Sequence, residues 1–149
     1  MTANSLDLEY AELRRSLTHY LSAGGRLAVV KAPPGSGKTH TLIEVLTNLV
    51  VEGQRIAVAA QTNSQADDIC ARWASAHAAI PVTRFSSSGH SPSHDLPSSV
   101  RWVTDKDSLS GEPGITVATT DKWSLTDLSH PYDLLAIDEA WQMAWSDLM

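Results

Sequence analysis

The chain has 149 residues, 42% of them hydrophobic and 19% charged, which suits one globular domain with its own core. Its net charge of −6, from 11 basic and 17 acidic side chains, excludes tight binding to nucleic acid through broad electrostatic capture. A local groove of hydroxyls and backbone N–H groups stays open to it. No apolar run of 18 residues marks a membrane span, and the polar N-terminus, Met1 to Leu21, reads as neither a signal nor a transit peptide. The single cysteine, Cys70, excludes an internal disulfide, fits a reducing cytoplasm and reads as a buried thiol.

Leu6, Leu13, Leu17 and Leu21 recur at helical spacing, so a first helix is expected over Ser5 to Leu21, with Ser5 as its N-cap and Ala23-Gly24-Gly25 as its stop. An apolar strand, Leu27 to Val30, is expected next. It runs into Ala32-Pro33-Pro34-Gly35-Ser36-Gly37-Lys38-Thr39, and an amphipathic helix follows, carrying Leu42, Val45, Leu46, Leu49 and Val50. Strand, glycine loop, Lys-Thr and helix together read as a phosphate-binding P-loop. Gly35 and Gly37 can take positive φ and turn backbone N–H groups onto phosphate oxygens, and the helix start adds its dipole. The nucleotide-binding residues are therefore Pro34, Gly35, Ser36, Gly37, Lys38, Thr39 and His40. Lys38 is expected to reach the β/γ-phosphates and the Thr39 hydroxyl to coordinate Mg²⁺. The usual pattern opens on glycine, and Ala32 stands there instead.

Gly53 stands where the helix should end, and Arg55 to Ala60 reads as a buried parallel strand. Gln61-Thr62-Asn63 leads into a helix from Ser64 to Ala79, with Ala66, Ile69, Cys70, Trp73 and Ala74 inward. Val82 to Phe85 and Val100 to Val103 are short strands. Between them, Ser86 to Ser99 holds seven serines, two prolines and two histidines, and reads as a mobile polar loop. Ile115 to Ala118 is a further strand, ending in Thr119-Thr120-Asp121 and a short helix. Tyr132 to Ile137 is the last strand, and a final helix is expected from Ala140. Alternation at βαβ spacing makes a parallel α/β sheet the expected architecture.

Leu134 to Ile137 delivers two carboxylates, Asp138 and Glu139, to the C-terminal end of a strand, where ligands sit in such sheets. Asp138 is placed to hold Mg²⁺ and Glu139 to orient and deprotonate the attacking water. An acid pair there can also cap the following helix. The P-loop upstream favours the catalytic reading.

The P-loop, then Gln61-Thr62-Asn63-Ser64-Gln65-Ala66-Asp67, then Ile137-Asp138-Glu139-Ala140-Trp141-Gln142, together resemble superfamily 1 helicases, closest to their DExxQ branch. The resemblance covers residues 26 to 149. It implies a RecA-like P-loop NTPase sheet with helices on both faces, ATP and Mg²⁺ as ligands, and single-stranded DNA or RNA as partner. It implies catalytic roles for Lys38, Asp138, Glu139 and Gln142, the last sensing the γ-phosphate. Thr39 and Asp138 become the metal-binding pair. Thr62 and Asn63, with Thr119 and Thr120 on the next strand end, become contacts to nucleic acid. On this reading residues 1–24 are an N-terminal helix and turn, and 25–149 are a partial RecA-like ATP-binding domain.

Two departures qualify it. The family's adenine-reading glutamine lies upstream of the P-loop, and residues 1 to 31 contain none. The central strand and the second RecA-like domain, which supplies arginine fingers, are also missing, so the expectation is an N-terminal portion with weak or no strand binding and no hydrolysis by itself. A P-loop kinase or nucleotide-binding regulator is the alternative, although residues 101 to 149 hold Arg101 and no other arginine for a lid. His90 and His94 lie in the Ser/Pro loop without a third ligand and read as solvated. Trp141 and Trp145 read as packing residues, and Asp67-Asp68 as a helix face.

Overall fold

A computed structural model describes residues 3–91, 96–128 and 130–139, with the side chains of 3–6 excepted. Gln142, Trp141, Trp145, His94 and the helix expected from Ala140 lie outside the described residues. The chain forms two compact units, Met1–Glu52 and Gly53–Met149.

In the first unit, α1 spans Ala3–Ser22 and α2 spans Lys38–Val51, and the two helices pack on each other. The Ser22 hydroxyl donates to the Glu52 carboxylate, tying the end of one helix to the end of the other. α1 begins ahead of the expected Ser5 cap. Gly24 closes it at φ +88, a left-handed stop that glycine adopts without a Cβ penalty. Leu27 to Val30 is not a strand, contrary to expectation. It has no regular structure, and Leu27 and Val29 are 75% and 71% exposed. A strand needs a neighbour for its N–H and C=O groups, and among the described residues of this unit the regular elements are α1 and α2.

In the second unit the strands are β1 (Arg55–Ala60), β2 (Val82–Phe85), β3 (Val100–Val103), β4 (Gly114–Thr119) and β5 (Leu134–Ile137). Among the described residues they make one five-stranded sheet in the order β3-β2-β4-β1-β5, with every pairing parallel. This is the expected α/β class. All six residues of β1 are buried, which explains its uninterrupted apolar pattern.

β1 leads to β2 through α3 (Asn63–Ala76), and β4 leads to β5 through the short α4 (Thr120–Ser124). These crossovers run in opposite directions across the sheet, so connections of the usual right hand put α3 and α4 on opposite faces. α3 buries Ala66, Ile69, Cys70 and Trp73, and Trp73 is fully buried. On the α4 side, Trp123 packs against Phe85 at 5.6 Å and against Tyr132 at 5.4 Å between ring centroids.

The start of β5 is pinned to the start of β1. The Arg55 amide donates to Asp133 at 2.7 Å, and its guanidinium donates to the carbonyls of His130 and Pro131 at 2.9 and 3.1 Å. That guanidinium also lies 3.9 Å from the Tyr132 ring centroid.

Two expectations on polar residues are corrected. Asp67 is not on a solvated helix face: its side chain is fully buried against Arg84, while Asp68 pairs with Arg72 at the surface. His90 is not simply solvated either. Its ring stacks on Trp102 at 5.8 Å, and its Nε2 lies 3.3 Å from Asp67 Oδ2. A buried carboxylate needs partners, and these two side chains supply them.

Candidate functional site

In the first unit the loop before α2 passes twice through the left-handed region. Gly35 and Gly37 take φ of +76° and +84°. A Cβ would meet nothing within 4 Å at either position, so the demand for glycine is conformational rather than steric. Gly37 is the left-handed N-cap of α2 and provides no capping side chain. Thr41 N–H to Gly37 C=O, at 2.9 Å, is the bond that starts the helix. The Ser36 hydroxyl oxygen is buried with no hydrogen-bond partner. A cavity of about 270 Å³ opens beside the loop, lined among others by Glu9, Tyr10, Leu13, Ser36 and Lys38. An orphaned hydroxyl, a lysine and an uncapped helix start around one cavity fit a polyphosphate.

In the second unit the register brings the C-terminal ends of β4, β1 and β5 side by side. Ala60 faces Thr119, and Ala59 faces Ile137. Thr62, Asn63, Thr119, Thr120, Asp138 and Glu139 therefore follow from one edge of the sheet, the edge where ligands of parallel sheets sit. The Asp138 amide extends the ladder, donating to Ala59 C=O at 3.1 Å. Glu139 takes φ of +55°, a left-handed conformation that costs a non-glycine residue about 1 kcal/mol or more.

Thr62 caps α3. Its Oγ1 accepts from the Gln65 amide at 3.2 Å, while Gln65 Oε1 accepts from the Thr62 amide at 3.1 Å, which is a capping box. The other end of the Gln65 side chain donates to Glu139 Oε2 at 3.0 Å. Asn63 begins the helix with an exposed side chain whose Oδ1 accepts from Arg84 Nη2 at 2.8 Å. Arginine only donates, so this contact fixes the amide orientation and turns the Asn63 NH₂ away from Arg84. Thr119 caps α4, accepting from the Lys122 amide at 3.3 Å. Thr120 is buried, and its hydroxyl donates to Ala60 C=O at 3.2 Å, joining the ends of β4 and β1.

Sequence reasoning assigned no role to Gln65 or Arg84. The Thr62-x-x-Gln65 spacing is a capping-box signal and could have singled out Gln65. No sequence signal marks Arg84, which sits within a short buried strand. Lys38, Thr39 and the rest of the phosphate loop belong to the first unit, and Gln142 lies outside the described residues.

A P-loop preceding a helix and an acid pair ending a parallel strand define a P-loop nucleotide-binding α/β protein. The chain belongs to the AAA domain family, whose model matches residues 11–114. It is similar to DNA polymerase alpha-associated DNA helicase A of Schizosaccharomyces pombe (strain 972 / ATCC 24843), with 39% identity over 88 residues. That match covers 59% of this chain and 12% of the relative. No solved structure matches. The resemblance to superfamily 1 helicases stated from the motifs is thus supported by a family match and by a helicase relative.

Proposed function

We propose that this chain is the ATP-binding segment of a superfamily 1 helicase or translocase, which couples ATP hydrolysis to movement on single-stranded nucleic acid. The observation that carries the reading is the phosphate loop itself: two left-handed glycines, an orphaned Ser36 hydroxyl and Lys38 beside one cavity. Lys38 and the N–H groups of residues 35 to 40 bind the phosphates. Glu139 orients and deprotonates the attacking water, and Gln142 senses the γ-phosphate. The Thr39 hydroxyl and the Asp138 carboxylate are the residues assigned to Mg²⁺, each a hard oxygen donor of the kind it takes. When bound, it neutralises charge developing on the phosphate oxygens. Tyr10 and Glu9 line the cavity beside the loop.

Thr62, Asn63, Thr119 and Thr120 contact the strand. Hydroxyls and amides serve here because phosphates can be held without many cations, which agrees with the acidic composition. The Thr120 hydroxyl has a structural duty as well, since it already bonds Ala60. DNA and RNA both meet this chemistry. A cytoplasmic setting is part of the proposal and rests on the single cysteine. No helix among the described residues is long and apolar enough to cross a membrane.

Binding of a fluorescent ATP analogue with Mg²⁺ tests the nucleotide half. The unaltered protein should bind it and Lys38→Ala should lose most of that affinity. Equal binding by the two would reject the assignment of the phosphate loop.

A further inference from the structure

Gln65 occupies an unusual position. It lies in the third residue of α3, and both ends of its amide are used by groups to which the proposed function gives different jobs. Oε1 accepts from the Thr62 amide at 3.1 Å, and Nε2 donates to Glu139 Oε2 at 3.0 Å. The orientation is fixed by chemistry. A backbone N–H only donates and a carboxylate oxygen accepts, so the flipped amide would lose both bonds. Thr62 returns a bond of its own, accepting from the Gln65 amide at 3.2 Å. The chain of bonds therefore runs without a gap from the α3 N-terminus to the end of β5.

Glu139 is the residue at that end which needs holding. Its φ of +55° is a conformation that a non-glycine residue keeps only when its surroundings impose it. Gln65 and Glu139 are both half-buried, where a hydrogen bond to a carboxylate is stronger than in open solvent.

We propose that Gln65 is a positioning residue that couples strand contact at Thr62–Asn63 to the placement of the Glu139 carboxylate. This rests on the reading that Thr62–Asn63 meets the nucleic acid and that Glu139 activates water. A strand phosphate at the α3 N-terminus draws on the Thr62 N–H and hydroxyl, the groups that Gln65 engages. Any shift in that cap is carried along one rigid amide to Glu139. The coupling requires no larger motion between the two contacts, because a single side chain spans them.

Two substitutions separate this coupling from helix capping. Gln65→Glu keeps the capping box, since glutamate serves equally at that place, but sets like charge against Glu139. Gln65→Met keeps the length and removes both bonds. The measurement is the ratio of steady-state ATP turnover by the full-length protein with and without a single-stranded thymidine oligonucleotide. KM for ATP and the melting midpoint are recorded alongside.

Both variants should lower the ratio by about fivefold or more, the scale of a typical coupling between sites, with KM for ATP unchanged. A normal ratio in Gln65→Glu would overturn the proposal: with loss in Gln65→Met it would mean that capping alone matters, and without that loss it would mean that neither bond does. Equal falls in both turnover rates, leaving the ratio intact, would overturn it too, since that is the signature of a merely structural role. If the unaltered protein shows no stimulation, the nucleic-acid reading fails along with the coupling. If stimulation is present and survives Gln65→Glu, the coupling alone fails.

Discussion

Arg84 Nε donates to Asp67 Oδ1 at 2.7 Å, and both side chains are fully buried. The same guanidinium donates to Phe85 C=O at 2.7 Å and to Asn63 at 2.8 Å, and it lies 5.5 Å from the Trp102 ring centroid. Breaking such a pair from one side leaves an uncompensated charge in the core. Arg84→Ala should therefore destabilise the fold by about 3–5 kcal/mol, read as a fall in the urea midpoint. Replacing both partners by apolar residues, Arg84→Met with Asp67→Leu, should cost less than Arg84→Ala alone. A double variant weaker than the single would show that the pair itself is a net source of stability.

Cys70 gives a prediction with a defined pH window. Burial pushes its thiol up from 9.0 to about 12, against a smaller opposing pull from Arg84. Above pH 9 the unfolded thiol ionises while the folded one keeps its proton, so the folded state binds more protons between pH 9 and about 12. The stability contribution is complete below that window and falls by about 1.4 kcal/mol per pH unit within it. Cys70→Ala should remove this slope, so the gap between the urea midpoints of parent and variant should narrow as pH rises through the window. A gap independent of pH would contradict the assignment. The native thiol should also resist alkylation at neutral pH.

The strands of the second unit were legible because apolar runs bounded by Gly, Pro and polar clusters leave little choice, as Arg55–Ala60 and Gly114–Thr119 show. Leu27 to Val30 carries the same pattern and forms no strand. Composition marks the tendency, but a ladder partner decides the outcome, and pattern does not reveal the partner. The left-handed turns of the loop before α2 were legible because positive φ favours glycine, as at Gly35 and Gly37. The Arg84–Asp67 pair, 17 residues apart in sequence, was not, since tertiary pairing leaves no periodic trace. His90 was misread for the same reason: its loop looked solvated, while its ring found Trp102.

Glu139 should be separable from binding. Glu139→Gln keeps the size of the side chain and one oxygen that can accept from Gln65, but removes the proposed base. It should bind the ATP analogue as the parent does, with turnover reduced by about 100-fold or more, the usual weight of a general base. Comparable loss of nucleotide binding would make Glu139 a structural residue of the β5 end.

Asn63 should matter through its NH₂ group. Asn63→Asp preserves an oxygen for Arg84 and replaces the outward donor by a negative charge. Affinity for a single-stranded oligonucleotide at fixed salt should fall by about tenfold or more, as expected when a hydrogen bond to a charged group is lost. Binding of the ATP analogue should be unaffected. Unchanged oligonucleotide affinity would remove Asn63 from the strand path.

ATP turnover on this phosphate loop is proposed to answer to nucleic acid. The most direct measurement is steady-state ATP hydrolysis by the full-length protein, with and without a single-stranded oligonucleotide, at one fixed salt concentration. Turnover should rise when the oligonucleotide is added and vanish in Lys38→Ala. Turnover indifferent to nucleic acid, or surviving in Lys38→Ala, would contradict it.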